Sequence, residues 1–443
     1  MKKVAFYTLG CKVNQYETEA MLELFEKEGY EKAETEDYAD VYVINTCTVT
    51  HMSDRKSRQY IRRMKKKNPD AIIAVVGCYS QVSPEEILSI DEVNLVMGTN
   101  DRKKIVEEVK KIDASRKVST VDDIMKVKAF EEIEINKTNG KTRAFMKIQD
   151  GCDRYCSYCI IPYARGRVRS RDLESIVKEV ENLASNGYKE VVLTGIHVAS
   201  YGKDIKDSDI KLLDVIKQIN DIEGIERIRL SSVEPILFTD EFVEAVSTMD
   251  KVCPHYHLSL QSGCDETLKR MNRKYTTEEY ETALNVLRTY YEHPALTTDV
   301  IAGFVGETEE EFEKTRAYLE KINLYEMHIF KYSVREGTRA QKMSGHVPEQ
   351  VKTERSDILL AMAKRHKSEF EKWYVGRKEK VLLEEIVEKN GKKYFQGYTA
   401  HYVKVAVELS ENDTKLRQNE VIVVDIQGFI DENLLYGKVS IEF

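Results

Sequence analysis

Over the first hundred residues, short apolar runs alternate with longer stretches in which apolar positions recur every three or four residues. The runs at 4–10, 41–46, 71–77 and 93–98 carry few polar side chains, the pattern of strands buried on both faces. The stretches at 18–28 and 53–67 have helical periodicity, and Ser53 is placed as an N-cap for the second. This alternation predicts a small parallel α/β sheet. Between 113 and 141 the periodicity dissolves into charge and ends in the turn dipeptide Asn139-Gly140. The rhythm then restarts on a larger scale, with strands at 144–149, 191–195, 228–232, 257–262, 297–303 and 328–333. Helical patterns lie between them at 173–185, 210–220, 240–248, 277–290 and 309–322. Six strands with helical crossovers imply an open, three-quarter (β/α) barrel. After a helix at about 350–373, period-two alternation at 381–387, 394–409, 421–427 and 437–443 predicts a small antiparallel barrel, with Gly391, Gly397, Gly428 and Gly437 at its bends.

The chain is therefore of the α/β class. It comprises a Rossmann-like N-terminal domain over 1–115, a linker over 116–137, an open (β/α)6 partial TIM barrel over 138–370 and a β-barrel over 371–443. No apolar run approaches the ~18 residues that cross a bilayer, and the N-terminus lacks the apolar core of a secretory leader. A cytoplasmic setting without a membrane partner is expected, in which the eight cysteines stay reduced. A net charge of −8 argues against wholesale binding of nucleic acid, whose affinity scales with cationic contacts. The distribution changes that picture. Eight basic residues lie between Arg55 and Lys67, and Arg154, Arg165, Arg167, Arg169 and Arg171 surround and follow a cysteine-rich loop. Two such runs beside one loop point to an anionic substrate.

That loop holds Cys152, Cys156 and Cys159 in a C-x3-C-x2-C pattern. A structural zinc site takes four protein ligands, and only three are supplied locally. A zinc knuckle completed from afar, or three core thiols, remain open on spacing alone. Iron–sulfur clusters are held by thiolates at similarly tight spacing, and three thiolates on four irons leave one iron open for chemistry. Three further cysteines, Cys11, Cys47 and Cys78, each end a predicted strand of the first domain, 36 and 31 residues apart. Open α/β sheets bind ligands beyond the carboxyl ends of their strands, so these three converge on one edge. Cys253 and Cys264 fit no such pattern and read as core residues.

The loop, with Tyr158 before its last cysteine, resembles the cluster loop of the radical S-adenosylmethionine enzymes. The resemblance implies a [4Fe-4S] cluster on Cys152, Cys156 and Cys159. Its open iron would be chelated by the amino and carboxylate groups of S-adenosylmethionine, whose reduction yields a 5′-deoxyadenosyl radical. It also implies cofactor contacts at Thr194 and Gly195 after the second barrel strand and at Ser232 and Glu234 after the third. Gln261 and Ser262 after the fourth strand, and Asp299 in the fifth-strand segment 298–304, complete the implied set. The C-terminal barrel resembles a TRAM domain, an OB-like RNA-binding module, yet 371–443 holds 11 basic and 13 acidic residues, a net of −2.

Taken together, the three parts resemble the methylthiotransferases, which insert a methylthio group at an unactivated C–H bond. In that family Cys11, Cys47 and Cys78 would carry a second, auxiliary [4Fe-4S] cluster. The segments 8–18 and 163–171 resemble the branch acting on N6-threonylcarbamoyladenosine at position 37 of tRNA. The other branches act on isopentenyladenosine or on a ribosomal-protein aspartate. The implied partners are a tRNA anticodon arm, an electron donor such as flavodoxin or ferredoxin, and an unidentified sulfur donor. No acid–base dyad is nominated, although His255 and His257 flank a strand. Two rivals stand beside this. A cobalamin-dependent radical enzyme should carry a D-x-H-x-x-G signature, which is missing. A noncatalytic iron–sulfur RNA-binding protein would leave the S-adenosylmethionine positions without a role.

Overall fold

The computed structural model describes residues 1–48, 51–113, 115–133, 135, 142–206, 208–409 and 416–440, apart from the side chains of 51–53. The expected Ser53 cap, the Asn139-Gly140 turn and the last three residues of the expected final strand lie outside what is described.

The N-terminal unit is a six-stranded, all-parallel sheet. Its spatial order is Glu31–Ala33, Lys3–Thr8, Val41–Thr46, Ile72–Gly77, Leu95–Val96 and Val118–Ser119. Every residue of Val41–Thr46 is buried, as a central parallel strand covered on both faces requires. The first strand places one neighbour to its left and the third strand to its right, so winding reverses between them. Such a switch point opens a crevice at the carboxyl edge. Cys11 and Cys47 follow the two strands flanking that point, and Cys78 follows the next one.

The second unit carries six parallel strands, Arg143–Asp150, Glu190–Gly195, Arg227–Leu230, His255–His257, Ala295–Ala302 and Glu326–Lys331. The first three and last three form separate sheets joined through single bridges such as Val233 to Leu258. Alternation divides the strands. Ala144, Met146, Ile148, Val191, Leu193, Ile228, Leu230 and Tyr256 pack under the crossover helices. The opposite parity, including Arg143, Lys147, Glu190, Arg229, His255, His257, Asp299 and His328, faces the lumen. The lumen is thus polar and charged.

The N-terminal unit closes the gap left by the open barrel. Glu17 pairs with Lys147 of the first barrel strand at 2.9 Å, and Arg335, beyond the last strand, pairs with Asp54 at 2.7 Å. The helix Glu349–Lys372 then leads to a closed five-stranded barrel built from Lys378–Lys389, Lys392–Thr399, Lys404–Glu408, Leu434–Val439 and Val421–Asp431. This barrel seats on the amino ends of the (β/α) strands. Arg227 donates to the Tyr398 and Lys380 carbonyls at 2.8 and 2.7 Å, and Arg143 pairs with Glu384 at 2.8 Å. It therefore lies at the end of the lumen remote from Cys152.

Several expectations shift. The first helix spans Lys12–Lys27, beginning directly after Cys11. The fourth barrel strand is only His255–His257, because the chain bends before Gln261, whose φ is +76°. The expected strand at 394–409 is two strands divided by a tight turn. Part of the expected linker is integrated, since Val118–Ser119 adds the sheet's sixth strand and Glu131 pairs with Arg102 at 2.9 Å.

Candidate active site

The C-x3-C-x2-C loop leaves the first barrel strand at the carboxyl mouth. Gly151 begins it at φ +73°, and a Cβ there would stand 1.8 Å from the Arg167 carbonyl oxygen, so only glycine fits. The loop is pinned from several sides. Cys152 N–H donates to Gly166 O at 3.0 Å, Ser157 N–H to Met271 O at 2.9 Å, and Asn272 Nδ2 to Tyr155 O at 2.8 Å. All three thiols are half-buried and none is in a disulfide. Burial pushes the free thiols up, Cys152 to about 11 and Cys159 to about 12, so a metal centre is what turns them into thiolates. Arg273 donates to Cys156 Sγ at 3.2 Å.

Around the mouth, Tyr158 is half-buried and edge-on to Phe304, with ring centroids 6.2 Å apart. Thr194 is buried at the end of its strand, followed by Gly195 beside Gln149. Glu234 is buried between the guanidinium groups of Arg154, at 2.5 Å, and Arg273, at 3.3 Å, with His197 Nε2 3.1 Å away. Burial opposes its charge, but the His197 hydrogen bond and these cations hold its carboxyl at about 2. Asp299 lies on the lumen face, 3.3 Å from His257 Nε2. The structure does not bring every expected contact inward. Ser232 is exposed, whereas Ser231 is buried, its hydroxyl without a partner among the described residues. Ser262 turns to Thr315 at 3.2 Å, and Gln261 alone continues the mouth.

The strand-end cysteines meet across the switch point. Gly10, at φ +111°, lies so close that a Cβ would stand 2.8 Å from Cys47 Cβ. Cys78 is buried, and Cys47 and Cys11 both act on its thiol electrostatically. Burial raises that thiol to about 12, and Arg165 works against the rise by donating from Nε to Cys78 Sγ at 3.2 Å. Each triad thus offers three soft donors in a glycine-made cradle or turn, with one guanidinium N–H aimed at a sulfur. That donor set fits an iron–sulfur cluster better than a hard cation.

Residues 3–98 match the uncharacterized protein family UPF0004, and 146–319 match the radical SAM superfamily. The chain is 45% identical to threonylcarbamoyladenosine tRNA methylthiotransferase MtaB of Bacillus subtilis, covering 93% of this chain and 92% of that one. The same-named protein of Aquifex aeolicus is 42% identical, over 88% and 93%. A tRNA-2-methylthio-N(6)-dimethylallyladenosine synthase of Clostridium botulinum is 38% identical, over 85% of each. The chain belongs to the radical S-adenosylmethionine methylthiotransferases. Among solved structures, a cobalamin- and [4Fe-4S]-bound radical S-adenosylmethionine methyltransferase, TsrM of Kitasatospora setae, shares the fold with a TM-score of 0.55. Its identity is 16% over 75% of each chain.

In this methylthiotransferase the two basic runs prove different. Arg165, Arg169 and Arg171 are buried and internally committed, which corrects their expected role on an anionic substrate. Arg165 pairs with Glu17 and lies 3.4 Å from Asp150, while Arg171 pairs with Glu179 at 2.6 Å and Glu132 at 2.9 Å. Glu17 also takes Arg102, and these cations hold the Glu17 and Asp150 carboxyls well below the usual range despite burial. The run on the helix His51–Lys67 is the surface one. There Arg55, Lys56, Arg62, Arg63, Lys66 and Lys67 are exposed. A cleft of about 640 Å³ beside it is lined by Arg58, Tyr79, Tyr163 and Arg335. Sequence reasoning also missed a lumen set, His257, Asp299 and His328, whose ligand atoms lie within 4.8 Å of one another. No helix among the described residues is long and apolar enough to cross a membrane.

Proposed function

We propose that this enzyme methylthiolates C2 of N6-threonylcarbamoyladenosine at position 37 of tRNA, with S-adenosylmethionine as methyl donor and radical source. The observation that carries it is the pair of cysteine triads, one at the barrel mouth and one at the switch point of the unit closing the barrel's open side. Cys152, Cys156 and Cys159 would hold the [4Fe-4S] cluster that binds S-adenosylmethionine, and Cys11, Cys47 and Cys78 an auxiliary one. When bound, the two supply radical generation and sulfur delivery, which a C–H bond without an acidic proton demands.

The protein's own groups position the reactants. Thr194, Gly195, Glu234, Gln261 and Asp299 line the mouth where S-adenosylmethionine would lie, with Tyr158 packed behind it. Arg273 donates to Cys156 and anchors Glu234, so it ties the loop to that wall. The exposed basic face of His51–Lys67 supplies phosphate contacts for the anticodon arm. Flavodoxin or ferredoxin is the class of electron donor such a centre takes, in a cytoplasmic setting. The C-terminal barrel, seated at the far end of the lumen, shapes the site from below.

The threonylcarbamoyl substrate is favoured over the isopentenyl one by the two relatives of highest identity given above. Mass spectrometry of nucleosides from tRNA of cells lacking the protein tests it. Loss of the 2-methylthio form of threonylcarbamoyladenosine is expected. Loss of 2-methylthio-isopentenyladenosine instead would establish the alternative.

A further inference from the structure

The floor of the lumen is closed by the turn between the second and third strands of the C-terminal barrel. Tyr402 sits at its tip at φ +66°, held by a hydrogen bond from its N–H to Thr399 O at 3.0 Å. A bulky residue in the left-handed region costs conformational energy and marks a position fixed by its surroundings. Three lumen groups converge on its ring. Arg143 and Arg229 lie 4.9 and 4.8 Å from the centroid, and the His255 ring is 5.0 Å away.

Positive charge there is incompletely matched. Arg229 and Arg227 share Glu190, at 2.7 and 3.7 Å, and Arg143 uses Glu384. Lys12, the residue after Cys11, is half-buried, and among the described residues it has no ion-pair partner within 4.0 Å. The charged groups acting on it are led by Arg229 and Arg143, followed by the already committed Glu190. His255 is only 7% exposed, and its Nδ1 has no hydrogen-bond partner among the described residues. A buried cation excess beside an unpartnered imidazole nitrogen is costly unless an anion completes it.

We infer that Lys12, acting with the Arg143, Arg229 and His255 cluster around Tyr402, binds the carboxylate of the threonylcarbamoyl group on the target adenosine. The inference rests on the proposed substrate. Lys12 is adjacent in sequence to Cys11, so an anchor there holds the base beside the auxiliary triad. An isopentenyl group brings no charge and would leave this floor unpaired. Sites built to pair a polar substrate group reject analogues lacking it far more strongly than apolar pockets reject a spare methylene. The lumen floor is thereby a selector between the two tRNA branches, and Lys12 is its specificity-determining residue.

The test uses reconstituted full-length protein and three labelled anticodon stem-loops, carrying threonylcarbamoyladenosine, its threoninamide, or isopentenyladenosine. Affinity is read by fluorescence anisotropy and kcat/KM by nucleoside mass spectrometry. A charge-assisted hydrogen bond predicts that wild type prefers the carboxylate over the amide about 10- to 100-fold. Lys12→Met should reduce that ratio to within about twofold of unity, and Lys12→Arg should restore most of it. Equal wild-type affinity for acid and amide overturns the inference without any variant, as does undiminished discrimination by Lys12→Met. If wild type methylthiolates only the isopentenyl stem-loop, the proposed substrate itself is wrong. The two failures are therefore distinguishable.

Discussion

The thiols at 152, 156 and 159 ride on one eight-residue connection pinned by the barrel that carries it, whereas those at 11, 47 and 78 arrive from three separate strand ends. Both triads receive one guanidinium hydrogen bond, but from different sources. Arg273 reaches Cys156 from within the barrel unit. Arg165 reaches Cys78 from the barrel unit into the N-terminal one, as part of a buried network with Glu17, Asp150, Lys147 and Arg102. The loop triad is therefore a local device, whereas the switch-point triad, carried by strands of one sheet, takes its guanidinium donor across the interface between two units. Uncoupling the units should damage the second and spare the first.

The largest expected effect follows from Arg165→Ala. It leaves Glu17 and Asp150 buried with fewer counter-charges and removes the donor to Cys78, and breaking a buried pair costs about 3–5 kcal/mol. Thermal unfolding should move down strongly, and iron should be lost from the switch-point triad while the loop triad keeps its share. Preferential loss from the loop triad would reverse the comparison.

Arg273→Met should act on the other centre. Removing a positive group beside Cys156 disfavours the added electron, so the midpoint potential of the loop cluster should shift negative in an EPR-monitored redox titration. The lost ion pair with Glu234 should weaken S-adenosylmethionine binding about tenfold. The second centre's potential should stay put.

The seat of the C-terminal barrel gives a pH-dependent effect. Burial raises the Glu371 carboxyl to about 7, with one oxygen left without a partner among the described residues. Its folded value thus lies above its unfolded one, so the folded state binds the extra proton. Its penalty is absent well below the unfolded value near 4.5, grows as pH rises towards about 7, and is complete above that. Glu371→Gln should raise the melting temperature most above pH 7, by at most about 3 kcal/mol of stability, and leave it little changed near pH 4.5. An equal gain at both ends would show that the carboxyl is ionised throughout.

The smallest effect concerns RNA. Replacing Arg62, Arg63, Lys65 and Lys66 by Ala should flatten the salt dependence of tRNA binding by up to about 0.9 log unit per lost phosphate contact. Arg63 already pairs with Glu36, and Lys65 donates to Ala71 O at 2.8 Å, so fewer than four contacts are expected. Cleavage of S-adenosylmethionine without tRNA should survive. An unchanged salt slope would mean this helix face meets only solvent.

What the sequence reveals follows the same local-versus-assembled divide. The C-x3-C-x2-C loop is legible because its ligands, its Gly151 turn and its aromatic Tyr158 are contiguous. The strand-end cysteines are legible because apolar runs announce the strands that carry them. The internal commitment of Arg165, Arg169 and Arg171 is hidden because two of their acidic partners, Glu17 and Glu132, are distant in sequence, and for Asp150 and Glu179 only packing shows that the charge is spent internally. Ser232 faces outward and Ser231 inward, a one-residue difference of facing that strand patterning cannot fix where pairing ends. The break before Tyr402 lies inside an unbroken β-like pattern, and no glycine or proline marks it.

The central claim is that the two triads hold separate clusters, and iron counting tests it most directly. Anaerobically reconstituted wild type should hold about eight irons per chain, in two four-iron centres. Changing Cys152, Cys156 and Cys159 together to Ala should leave about four, and so should changing Cys11, Cys47 and Cys78. A triple variant that kept all of its iron, or lost all of it, would contradict the account.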